Sequence, residues 1–215
     1  MSLGQPNRNR RTTLGLYGGT ELGGIGLSGG ASHSWQQIDT TRLVGIGGFA
    51  DTLTADYDAR TTQVFGEVGY KIRTEAAVFE PFAALAYVHL DSDGFAETGG
   101  AAALSLDGQS DDATFTTLGA RATTGLMLGS MAARAHASLA WQHAFADPEP
   151  LTTMALAGGN GFTVGGAPFA RDLALLSLGL DMDVTETTVL GVSYGGQFGD
   201  GTTSHQARLD LSVRF

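Results

Sequence analysis

The stretch HQARLDLSVRF, residues 205–215, decides the fold. His205, Ala207, Leu209, Leu211, Val213 and Phe215 form one alternating set, and Gln206, Arg208, Asp210, Ser212 and Arg214 form the other. The first set is nearly all apolar and the second all polar. Side chains alternate across a strand, so the segment reads as a strand with one greasy and one wet face. The fold then turns on whether the greasy face points into a protein core or away from one.

The same alternation recurs upstream. In TVLGVSYGGQF (188–198) Leu190, Val192, Tyr194 and Phe198 oppose Ser193 and Gln197, and in LALLSLGLDM (173–182) Leu176, Leu178, Leu180 and Met182 oppose Ser177, Gly179 and Asp181. ARAHASLAWQHAF (133–145) sets Ala135, Ala137, Leu139, Trp141 and Phe145 against Arg134, His136, Ser138 and Gln142. TTLGARATTGL, FEPFAALAYVHL, QVFGEVGYKI, GIGLSGGASHSWQQ and the shorter TLGLYGG continue the pattern back to residue 13. The pattern predicts about nine strands and no helix. The expected connections alternate in length: short turns near 20–24, 73–77, 127–131 and 183–187, and long, polar, Gly-rich loops near 39–60, 92–111 and 147–167, with a smaller one at FGDGTT. In an up-and-down meander every other connection falls at the same end, so one end is trimmed and the other elaborated, as in outer-membrane barrels.

Composition is compatible with this. With 215 residues, 42% apolar, 16% charged and 32 glycines, the chain is too apolar for disorder and too Gly-rich for a helical bundle. A net charge of -10 argues against a nucleic-acid partner, which needs a basic surface. The absence of cysteine removes disulfides and thiolate metal sites. No apolar run approaches the roughly 20 residues of a membrane-spanning helix. The first eleven residues, MSLGQPNRNRR, lack the apolar core of a secretory signal and read as a disordered or linker tail before a single domain at 12–215. Any export signal is therefore expected outside this chain.

Two destinations for the greasy faces compete, a soluble core and a lipid bilayer. The polar faces are rich in Ser, Thr, Gly and Gln, with mixed charges at Glu67, Lys71, Glu80, Arg121, Arg134, Arg208 and Asp210, which suits a confined wet interior. The strands are also about 11 to 15 residues long against the usual 5 or 6. Eleven residues tilted by about 40° cover roughly 27 Å, the height of a barrel's apolar band. Aromatics gather at strand ends: Trp35, Tyr87, Trp141, Phe145 and Phe198 near the long loops, and Tyr70 and Phe215 near the short turns.

The strings DTLTADYDARTTQVFGEVGY (51–70), EPFAALAYVHLDSDGFAETGGAAALSLDGQSDDATFTTLGARA (80–122) and LGVSYGGQFGDGTTSHQARLDLSVRF (190–215) together resemble the C-terminal translocator domain of bacterial autotransporters, or type V secretion. The resemblance covers nearly all of 12–215. It implies an all-β, up-and-down antiparallel transmembrane β-barrel of twelve strands in the bacterial outer membrane, threaded by a helical segment and exporting an N-terminal passenger. It further implies three partners: outer-membrane lipid, the passenger, and the assembly machinery that reads Phe215 with Val213 and Leu211. The greasy face then looks outward to lipid. Glu67, Glu80, Arg121, Arg134, Arg208 and Asp210 are the expected lumen-lining residues, and the first four are expected to converge. The chain departs from the family in its strand count, about three short of twelve, and no pore-helix sequence precedes Thr12; it is expected to be truncated, unless LVGIGGFADTLTADYDA (43–59) hides a further strand.

No catalytic, cofactor or metal site is expected. His33, His89, His136, His143 and His205 are scattered, DSDG (91–94) lacks the spacing of an EF-hand, and AGGNGF (157–162) lacks the Lys and helix of a phosphate loop and reads as a flexible loop. The alternative function is a self-standing barrel acting as pore, adhesin or structural anchor.

Overall fold

The computed structural model describes residues 8–146, 151–166 and 169–214. Phe215, the end of the expected assembly signal, lies outside them. The strands are β1 (Arg8–Leu22), β2 (Ile25–Ile46), β3 (Phe49–Tyr70), β4 (Ile72–Arg73), β5 (Val78–Ser92), β6 (Phe95–Ala96), β7 (Leu104–Leu106), β8 (Gln109–Leu128), β9 (Met131–Ala144), β10 (Leu151–Leu156), β11 (Gly161–Gly165), β12 (Asp172–Thr185), β13 (Thr188–Gly199) and β14 (Thr202–Val213). Among the described residues there is no helix. The main sheet has ten strands: nine on one antiparallel path, β1-β2-β3-β5-β8-β9-β12-β13-β14, and β4 beside β5. Among the described residues no ladder joins β1 to β14.

Each long strand pairs with its neighbour in sequence, as an up-and-down meander requires. β1 begins earlier than the sequence suggests. Residues 8–11, assigned to the tail, continue the strand and pair with residues 36–39 of β2. The larger difference lies at the long-loop end. The expected loop at 39–60 is instead the upper half of a hairpin, because β2 and β3 each run for 22 residues and pair without interruption from Ile25↔Tyr70 to Ile46↔Phe49. No extra strand is hidden there; two existing ones are prolonged. Gly47 and Gly48 close the hairpin with φ of 57° and 92°, the two positive angles of a type I′ turn, which only glycine adopts without strain. The loops expected at 92–111 and 147–167 meet in a second sheet of order β11-β10-β7-β6. AGGNGF is thus the tip and second strand of the β10–β11 hairpin, not a free loop.

The greasy faces stay open. Along the main sheet the large apolar side chains are exposed, among them Leu14, Leu27, Leu85, Leu118, Leu139, Leu178, Val192, Leu209 (72%) and Leu211 (68%). Among the described residues the buried apolar ones are alanines, apart from Leu53, which is fully buried in the prolonged hairpin. A soluble sandwich would pack this face into a core about 10 Å thick, and a soluble monomer would not leave so large an apolar surface in water. The soluble reading is therefore excluded.

The sheet is also staggered. Glu67 on β3 stands in register with Ala84 on β5, and Ala84 with Thr117 on β8. Yet Glu67 contacts Arg121, four residues further along β8. A contact displaced by four residues over two strands is what strand tilt in a barrel produces, since side chains at one height belong to different register positions.

Candidate functional site

The polar face carries the charge. Arg121 sits between two carboxylates: its Nη1 and Nη2 donate to Glu67 at 2.8 and 2.6 Å, a bidentate pair, and Nη1 lies 3.5 Å from Glu80. The guanidinium stacks 3.9 Å above the Phe82 ring. Glu67 and Glu80 are only 24% and 20% exposed, so the three groups are partly withdrawn from water and hold one uncompensated negative charge. Two glycines make room for them. A Cβ on Gly69 would lie 2.5 Å from Glu80 Oε1, and one on Gly119 would lie 2.7 Å from the Phe82 ring. Beside Arg121 the polar face holds a cavity of about 350 Å³, lined by Thr117, Ser138, Ser177, Gly195, Gln197 and Gln206 among others.

Arg134 does not join this group. It pairs in register with Asp181, whose partner on β13 is Gly191, and Gly191 in turn faces Asp210. His136 Nδ1 stands 3.8 Å from Asp181, and Arg208 donates to Asp210 from Nε at 2.9 Å and Nη2 at 2.7 Å. A Cβ on Gly191 would lie 2.9 Å from Asp181, so that carboxylate leans over the glycine toward β14. The six sequence-predicted residues thus form two stations. Glu67, Glu80 and Arg121 make the first; Arg134 on β9, beside His136 and the register partner Asp181 on β12, makes the second together with the Arg208–Asp210 pair on β14. Sequence reasoning placed all six on polar faces, with His136 and Asp181 also on polar faces though not among the expected site residues, but missed Phe82 and the glycine notches. The signal for His136 was its shared phase with Arg134 on one strand, whereas the meeting of Asp181 with Arg134 comes from the register between β9 and β12.

At the long-loop end Arg42 grips Glu97 through Nε at 3.0 Å and through Nη2, and also donates to Ala102 O at 2.9 Å. Leu104 N donates to Glu97 at 2.8 Å, and Ala102 N to Asp51 at 3.0 Å. This fastens the 93–108 connection onto the prolonged hairpin. The Arg42 guanidinium, helped by the Leu104 amide and opposed by burial, holds the Glu97 carboxyl below its ordinary range. At the opposite end Lys71 and Arg73 converge on Glu21 and lower its pKa. Asp91 and Asp93 of the DSDG turn share Arg60, at 3.6 and 3.7 Å from its Nη1.

A model of the family described as autotransporter beta-domain matches residues 3–195. Two extracellular serine proteases of Serratia marcescens are similar: one is 40% identical over 205 residues, covering 95% of this chain and 20% of the relative, and the other is 39% identical over 203 residues, covering 94% and 19%. The chain spans about a fifth of the length of these curated relatives. Among solved structures, the translocator domain of autotransporter NalP from Neisseria meningitidis matches with a TM-score of 0.65 at 17% identity, covering 97% of this chain and 68% of that one. At that identity the likeness is one of fold.

Proposed function

This chain belongs to the autotransporter β-domain family, whose members are outer-membrane β-barrels of Gram-negative bacteria, and from that premise we propose that it exports and anchors an N-terminal passenger. The observation that supports the reading is the division of the sheet. An uninterrupted apolar face suits lipid, and the opposite face, with its two charged stations and its Ser, Thr, Gly and Gln, suits a wet passage for polypeptide.

Glu67, Glu80, Arg121, Arg134, Arg208 and Asp210 line that passage in this reading and meet the segment that crosses it. The outward Leu211 and Val213 of β14, with Phe215 following in the sequence, are the signal that the assembly machinery reads in this proposal. What the Serratia names say of proteolysis concerns chains about five times longer, and no catalytic role is assigned to this domain. The test is surface display. In the natural reading frame, an epitope placed ahead of residue 1 is expected to be cleaved by protease added to intact cells. An inserted barrel whose epitope stays protected would overturn export and favour a self-standing barrel.

A further inference from the structure

Where β1, β2 and β3 rise out of the aliphatic zone, six side chains stand in two rows on the outer face. Thr12, Trp35 and Arg60 are register partners in the lower row, and Arg10, Gln37 and Asp58 in the row above it, toward the long loops. They share the strand phase of the exposed Leu14, Leu27 and Val64, so they point away from the interior. Together they line a cavity of about 430 Å³.

The order of side chains along these strands follows the layers of a membrane edge. Below the cavity the row Leu16, Ala31 and Val64 is wholly apolar, and Trp35 stands between that zone and the charges, as an indole of an aromatic belt does. Above the cavity Asp39 and Asp56 are register partners. The cavity therefore opens at the level of the headgroups.

Both guanidiniums are available to a ligand. Among the described residues Arg10 has no hydrogen bond or ion pair, and Arg60 has no hydrogen bond, only the approach of its Nη1 to Asp91 and Asp93 at 3.6 and 3.7 Å. A guanidinium carries five N–H donors and is charged at every physiological pH, so the site depends on no titration. The Asp58 carboxylate, the third charge of the lining, likewise has no side-chain partner among the described residues. A simple anion would meet Asp58, and a simple cation would meet two arginines. A zwitterion satisfies all three. We infer that the cavity binds the phosphoethanolamine headgroup of a membrane lipid, its phosphate accepting from Arg10 and Arg60 and its ammonium donating to Asp58, with Trp35 packed below at the head of the acyl chains. Every contact is then a charge-assisted hydrogen bond between opposite signs. The inference rests on the membrane location and not on passenger export.

The experiment is native mass spectrometry of the full chain refolded in maltoside micelles doped with equal amounts of phosphatidylethanolamine, phosphatidylglycerol and phosphatidylcholine. Phosphatidylethanolamine adducts are expected to dominate, because phosphatidylglycerol lacks the cation and the quaternary amine of phosphatidylcholine has no N–H. A lost charge-assisted hydrogen bond corresponds to about tenfold, so R10Q and R60Q are each expected to retain about a tenth of the phosphatidylethanolamine. D58N keeps both arginines and is expected to move the preference to phosphatidylglycerol, a switch that a merely structural aspartate would not produce. R171Q, outside the cavity, is expected to behave as the parent chain. Heat-modifiable mobility of each variant separates loss of binding from loss of fold, and R10Q removes a guanidinium that bonds nothing else among the described residues. Equal retention of the three lipids, unchanged adducts in folded R10Q and R60Q, a D58N chain that still prefers phosphatidylethanolamine, or displacement of the lipid by inorganic phosphate would each overturn the assignment.

Discussion

Leu178→Arg tests the orientation of the whole sheet. Leu178 lies midway along β12, six residues below Asp172, which accepts the Trp141 indole at the belt. Six residues at about 3.3 Å, tilted by about 40°, place it roughly 15 Å below that level, near the middle of a hydrocarbon layer about 30 Å thick. An arginine there costs about 2–4 kcal/mol, equivalent to roughly a 30- to 900-fold change in the folding equilibrium. The adjacent Ser177 points the other way, into the cavity of about 350 Å³ on the polar face, where Ser138 and Gln206 offer company for a guanidinium. Ser177→Arg is therefore expected to cost no more than about 1 kcal/mol, because the new charge stays in water. The assay is reversible urea unfolding in phospholipid vesicles, with both variants followed by tryptophan fluorescence. The difference between the two variants carries the result, since the reference state cancels. Equal costs, or a greater cost for Ser177→Arg, would refute the assignment of the apolar face to lipid.

Three further outcomes follow from particular contacts. Arg121→Gln leaves Glu67 and Glu80 facing each other without their shared cation and is expected to lose about 1–3 kcal/mol in the same vesicle assay, with the added change Glu80→Gln recovering part of it. Because Arg42 depresses the Glu97 pKa, the ionised pair adds stability that is fully present above the ordinary carboxylate value of about 4.3 and is lost as pH falls through the depressed one; proteolysis of the 93–108 connection should accelerate only in that acid window, and Glu97→Gln should make it fast at neutral pH. Gly119→Ala puts a Cβ 2.6 Å from that of Ala140 and 2.7 Å from the Phe82 ring, and is expected to destabilise the fold by about 1–3 kcal/mol and to shift the Phe82 ring resonances in NMR spectra.

Period two was legible in the sequence where lipid and a wet interior lie on opposite sides of a strand. That holds for β5, β8, β9, β12, β13 and β14, where the expected phase puts Leu85, Leu118, Leu139, Leu178, Val192, Leu209 and Leu211 among the exposed aliphatic side chains. It fails above the belt. In residues 43–59 both faces meet polar surroundings, so LVGIGGFADTLT carries no clean alternation although it continues two strands, and Leu53, the one large side chain fully buried among the described residues, is hidden among polar neighbours in sequence. The short β6, β7, β10 and β11 are held by pairing between distant connections, which no local pattern announces. The charged residues show a different limit. Alternation assigns a residue to a face but says nothing of its height, because strand tilt separates neighbours in register from neighbours in space. That is why alternation alone groups Arg134 with Glu67 and Glu80, whereas a stagger of four residues over two strands delivers Arg121 to Glu67 and leaves Arg134 beside Asp181. A reading of charge in such a sheet must therefore add the tilt before it pairs any two groups.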